Sequence, residues 1–93
     1  MIHKIEVKNI STHLTVVTVG SWELCYSYEK LIAAKHRGKV YLDSYYHNIT
    51  KTTTNHRNTF LGLTGIEVQQ KIKLKEYTVC FLRPKIEELT RDN

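Results

Sequence analysis

Apolar and polar residues alternate along most of the first half of the chain. Ile5 and Val7 are interleaved with Lys4, Glu6 and Lys8, a period of two that sends successive side chains to opposite faces of a half-buried strand over His3 to Lys8. After the turn-tolerant residues Asn9 to Thr12, the β-branched run Leu14-Thr15-Val16-Val17-Thr18-Val19 predicts a second strand, paired with the first as an antiparallel hairpin. Gly20-Ser21 ends it. Trp22, Leu24, Tyr26 and Tyr28 then alternate with Glu23, Cys25, Ser27 and Glu29, which predicts a third strand whose large side chains share one face and supply much of the core. Leu31 to Lys35 and Val40 to Leu42 flank His36-Arg37-Gly38-Lys39, where Gly38 accepts the positive φ of a tight connection, so a second hairpin is expected.

The pattern changes after Asp43. Strand periodicity is lost from Tyr45 onward, threonines able to cap a helix appear, and Gly62 can end one in the left-handed conformation. The spacing predicts a helix over 54–61, with His56, Phe60 and the following Leu63 turned to the sheet and Asn55, Arg57 and Asn58 turned outward. Thr64-Gly65-Ile66-Glu67 has the spacing of a capping box and starts a second helix through Val68 and Ile72. Lysines alternate with Ile72 and Leu74 over 71–75 as in a strand, so residues 71–76 are open between helix and strand. Tyr77, Val79 and Phe81 predict a last strand over 77–82, able to pair within the chain or with a second copy through an exposed edge. Pro84 suits the first turn of a final short helix held by Ile86 and Leu89, and Thr90 to Asn93 are expected to fray. With no internal repeat or linker, the expected architecture is one α+β domain over 1–93: a mostly antiparallel sheet of five to six strands with two or three short helices packed on one side.

Ninety-three residues make one modest core and leave no room for a deep, multi-layered active site, which argues against a large cofactor enzyme; no cofactor is expected. A hydrophobic content of 41% suits a folded chain, and no apolar run approaches the roughly 20 residues of a membrane span. The opening Met1-Ile2-His3-Lys4-Ile5-Glu6 carries charge where an export signal needs an apolar stretch, so a cytoplasmic location is expected. The glycosylation patterns at Asn9 and Asn48 would then be idle. Cys25 and Cys80 read as reduced core thiols, with Cys25 excluded as a nucleophile because it falls on the glutamate-bearing side of its strand. Scattered histidines without a His-x-x-x-His pair give no metal site.

The net charge of +5 is unevenly placed: six basic residues to four acidic over 1–43, six to two over 44–83, and two to three over 84–93. Such a surplus favours phosphate backbones, acidic proteins or anionic surfaces. The tract from Tyr45 to Asn58 is rich in hydrogen-bond donors and has no acid, so Tyr45, Tyr46, Lys51, Thr52, Asn55, His56, Arg57 and Asn58 are candidate contacts to nucleic acid or another partner. Arg57 could grip a phosphate with two prongs while a tyrosine stacks on a base. The basic turn with Lys35, Arg37 and Lys39, and the lysines Lys71, Lys73 and Lys75, extend the candidate surface. A ribonuclease-like reading would use His47 and His56 as acid and base, although a separation of nine residues across a loop does not secure their geometry.

Trp22, Leu24, Ser27 and Tyr28, followed by Tyr45, Tyr46, Thr52 to Thr54, His56, Asn58, Phe60, Leu61 and Gly62, form a pattern that resembles small accessory proteins of bacteriophages and plasmids. The resemblance covers Ser21 to Gly65 and leaves out the first twenty residues and the lysine-rich segment after Gln70. It implies a mobile-element protein acting inside a bacterial cell and brings no catalytic residues with it. Two function classes follow as expectations: a non-catalytic protein that binds nucleic acid or a host nucleoprotein, and an inhibitor of a host defence or transcription complex, anti-CRISPR-like, docking through exposed aromatic rings.

Overall fold

The computed structural model describes residues 5–91. It contains β1 (Ile5–Ser11), β2 (Leu14–Val19), β3 (Trp22–Ser27), β4 (Lys30–His36), β5 (Lys39–Asp43), α1 (Lys51–Leu61), α2 (Gly65–Lys73), β6 (Tyr77–Cys80) and α3 (Leu82–Arg91). The six strands form one sheet in sequence order, β1-β2-β3-β4-β5-β6. The first five make an antiparallel meander, and β6 returns parallel to β5 after the helical crossover, because a parallel neighbour needs a long connection. This is the expected α+β arrangement, and it pairs the last strand within the chain.

Alternation along the strands sorts the core into two layers. Leu14, Cys25, Ala33 and Leu42 stand on one face with Ile32, and Val68 of α2 closes over them, flanked by Phe60, Leu61 and Ile72. Trp22, Ala34 and Tyr41 stand on the opposite face under Leu82 and Ile86 of α3. The expectation of helices on one side therefore holds for α1 and α2 and is corrected for α3. Both faces of β3 are covered as a result, and Cys25, expected on a polar side, is fully buried. A register shift sets Cys25 opposite Ala33 but Tyr26 opposite Leu31, so β4 carries one extra residue and Ile32 joins Ala33 in the first layer.

Further boundaries move for identifiable reasons. α1 begins at Lys51 rather than Thr54 because Thr50 is the cap, its hydroxyl accepting the Thr53 amide at 3.0 Å. The Thr64–Glu67 capping box forms as expected and carries α2 to Lys73, which makes 71–73 helix and leaves β6 only Tyr77–Cys80. The carboxylate of Asp43 accepts the amides of Tyr45, Tyr46 and Leu82, fixing the exit from β5 and starting α3 two residues before Pro84. α3 stays helical through Thr90 and Arg91, where fraying was expected. The expected strand residues His3 and Lys4, the side chain of Leu89 and the ends 92–93 lie outside the described residues.

Candidate functional site

Arg57, expected outward, lies on the buried stripe of α1 with Thr53 and is 1% exposed. Its Nε and Nη2 donate to Asn58 Oδ1 at 3.1 and 2.9 Å, and Nη1 donates to His47 Nδ1 at 2.9 Å. A guanidinium can only donate, so His47 Nδ1 is unprotonated and the ring proton sits on Nε2. Burial and the neighbouring Arg57 charge push the His47 pKa below its usual 6.5, against a smaller opposing pull from Asp43. Arg57, Asn58 and His47 thus brace α1 against the segment after β5, and Arg57 is corrected from a phosphate contact to an internal tie. His47 and His56 have separate hydrogen-bond partners, Arg57 and Ser27.

His56 points to the end of β3, its Nδ1 2.6 Å from the Ser27 hydroxyl. The pair has the reach of a nucleophile and base, but Ser27 is buried at 2% exposure and offers its oxygen no substrate. The other side of His56 faces rings. Tyr28 lies 6.0 Å from it at a 35° tilt, and His13 stacks on Tyr28 at 4.2 Å and 20°. The Tyr28 amide donates to the His13 carbonyl at 2.9 Å, which joins the β1–β2 and β3–β4 turns. Burial first, and then the charge of His13, hold the His56 pKa below its usual value.

Beyond the β3–β4 turn, Lys30 Nζ sits 5.6 Å over the Tyr46 ring, and Tyr45 meets Tyr46 edge-on at 4.8 Å. Tyr28 and Tyr45 are 51% and 61% exposed. Lys30, Tyr46 and Arg83 share a cleft of about 220 Å³ with Glu29, Leu31 and Asp43. Thr52 precedes His56 by one helical turn, and it is exposed with Lys51 and Asn55 on the first turns of α1. One end of the sheet therefore gathers Tyr45, Tyr46, Thr52, Asn55 and His56 from the expected set and adds His13, Tyr28, Lys30 and Arg83, which the sequence reading missed. Tyr28 reads as a core position by alternation. Its φ of 51° and that of Glu29, 74°, turn the chain without any glycine or asparagine to announce the turn.

The remaining basic residues lie elsewhere. Lys35 donates to the Phe60 carbonyl at 3.0 Å and covers the Phe60 ring at 4.6 Å, so it ties α1 to β4 rather than extending the turn. His36 stacks on Trp22 at 4.1 Å. Arg37 and Lys39 are exposed at the β4–β5 turn, whose central residues Arg37 and Gly38 have φ of 51° and 81°. α2 ends at Lys73, and β6 then starts with Tyr77 beside Val40, which brings Lys73 and Lys75 to this same end of the sheet. Lys71 is paired with Glu76 at 3.2 Å. The single basic surface expected from sequence is thus two: a ring-bearing end and, across the sheet, an end with Arg37, Lys39, Lys73 and Lys75. Among the described residues no three His, Cys, Asp or Glu gather as a metal ion would require. No helix among them is long and apolar enough to cross a membrane.

Fold and geometry define a small α+β protein that presents its unusual side chains on the open end of a sheet rather than inside an enclosed cavity. The chain belongs to a family of unknown function (DUF8033), matched over residues 4–77, which spans β1 through α2, the ring-bearing end except Arg83, and the first residue of β6. No curated protein and no solved structure matches the chain.

Proposed function

We propose that the protein is a non-catalytic binding module for single-stranded nucleic acid, bound at the ring-bearing end of the sheet. The observation that carries this reading is the row His13, Tyr28 and His56 beside Tyr45, Tyr46 and Lys30, with Tyr28 and Tyr45 more than half exposed. Stacking of bases on aromatic faces contributes about 1–3 kcal/mol per base, and nearby cations hold the backbone without reading sequence. Lys30, Lys51 and Arg83 supply that charge. The left-handed backbone at His13, Tyr28 and Glu29 costs on the order of 1 kcal/mol per residue, which suits side chains held outward for contact rather than for stability. In this reading the protein is a mobile-element accessory factor in the cytoplasm of a bacterial host, as the resemblance implies.

The test is fluorescence anisotropy with labelled single- and double-stranded oligonucleotides at two salt concentrations. Salt-sensitive binding that prefers single strands and weakens at least tenfold in Tyr28→Ala/Tyr45→Ala supports the reading. No binding at low salt contradicts it. The exposed tyrosines also favour a second reading, an inhibitor docked on a host defence or transcription complex, because Tyr is enriched among residues that anchor protein interfaces. Loss of capture of one host protein by the same double variant, with no oligonucleotide binding, is its expected signature.

A further inference from the structure

β1 is an edge strand with every residue exposed, and its outer backbone groups have no neighbouring strand among the described residues. Ile5 and Val7 are each 64% exposed and stand beside Val19 and Val17 of β2, outside both apolar clusters. On the other face of the same strand stand Glu6 and Lys8. Pairing with β2 is regular from Ile5 to Asn9 and breaks in a register shift before Ser11. Among the described residues, the regularly paired part of β1 is thus Ile5–Asn9.

We propose that two copies of the chain associate by antiparallel pairing of β1 with β1 about a two-fold axis at Val7, joining their sheets into one of twelve strands. The register follows from parity and charge. In a two-fold pair, opposed residues must share a face, so the axis passes through a residue and not between two. An axis at Glu6 opposes two glutamates, and an axis at Lys8 opposes two lysines, both unfavourable when directly across. An axis at Val7 opposes Glu6 of each copy to Lys8 of the other, Val7 to Val7, and Ile5 to Asn9. Antiparallel ladders accept a two-fold at a hydrogen-bonded or a non-hydrogen-bonded pair, so this register works for either phase of the β1–β2 ladder. It also joins Ile5, Val7, Val17 and Val19 of both copies into one apolar strip on the face that carries α3. The charges favour the second copy as the occupant, because of the axes at Glu6, Val7 and Lys8 only the one at Val7 opposes unlike charges.

The test is sedimentation velocity over a concentration series reaching several hundred micromolar, with circular dichroism to confirm folding. The wild type is expected to shift from 10.9 kDa to about twice that mass. Glu6→Lys and Lys8→Glu are each expected to remain monomeric, since each opposes like charges with the axis at Glu6, Val7 or Lys8. The double swap Glu6→Lys/Lys8→Glu restores the dimer, and an equimolar mixture of the two single variants forms a heterodimer. A wild type that stays monomeric throughout overturns the proposal, as does a dimer that either single reversal leaves intact. Neither result bears on oligonucleotide binding, which involves other side chains.

Discussion

Arg57 separates an internal tie from a surface ligand, and Arg57→Met tests which it is. Methionine keeps most of the buried stem and removes the three donated hydrogen bonds, leaving His47 Nδ1 and Asn58 Oδ1 without their donor. A buried acceptor left unpaired costs about 1–3 kcal/mol. His47 Nδ1, in a buried ring, carries that full cost and the half-buried Asn58 Oδ1 a smaller one; partly offset because a buried guanidinium no longer has to be stripped of water, they give a net loss of about 2 kcal/mol. That is a large share of the roughly 5–15 kcal/mol typical of a whole domain. Urea unfolding of the wild type and variant, with the midpoint read at unchanged slope, measures it directly. Lys51→Ala, at an exposed position of the same helix, should change stability by no more than about 0.5 kcal/mol. An Arg57→Met protein as stable as wild type but weakened in oligonucleotide binding would refute the reasoning, since the guanidinium would then be acting at the surface.

The same tie makes stability depend on pH. The fold holds the His47 pKa below its usual 6.5, so this contribution is fully present above about pH 6.5 and is lost as pH falls through that value toward the lower folded one. Chemical denaturation between pH 7.5 and 5 should show a decline of at most about 1.4 kcal/mol per pH unit from this ring, and His47→Asn, which keeps an acceptor for Arg57, should make the decline shallower by that share while leaving that of His56, whose pKa the fold also lowers. Glu29→Gly relieves a left-handed residue with φ of 74° and should raise stability by about 1 kcal/mol in urea melts. Lys35→Met loses the bond to the Phe60 carbonyl and should cost about 1 kcal/mol while leaving oligonucleotide affinity unchanged. Burial pushes the Cys25 thiol up to about 12, so a thiol reagent at pH 8 should modify Cys25 only after urea is added; rapid labelling of the native protein would contradict its burial.

The strands were legible because a period of two survives in Ile5 to Lys8 and in Leu14 to Val19, and the Thr64–Glu67 spacing announced α2 before any packing was known. Local signals failed where tertiary contacts decide. Thr53 and Arg57 form the buried stripe of α1, and neither is apolar, so hydrophobic spacing turned Arg57 outward. Lys71 to Lys75 alternate like a strand, yet the helix begun by the capping box runs on to Lys73. The placement of α3 opposite α1 and α2 follows from its anchor on Asp43, 39 residues earlier in the chain, which no local window contains. The candidate site was half legible: polar composition drew attention to Tyr45 through Asn58, whereas His13 lies just past a turn that was read without it, and Tyr28 and Lys30 join the site through a turn with no glycine, asparagine or proline. Charge counting alone could not divide the basic residues between two ends of the sheet, since that division is a property of the meander.

The most direct test of the nucleic-acid reading is a titration of nitrogen-labelled protein with a short oligodeoxythymidylate, followed by amide chemical shifts. Shifts confined to His13, Tyr28 to Lys30, Tyr45, Tyr46 and the first turns of α1 are the predicted result. Shifts centred on Arg37, Lys39, Lys73 and Lys75, or none at saturating oligonucleotide, would contradict it.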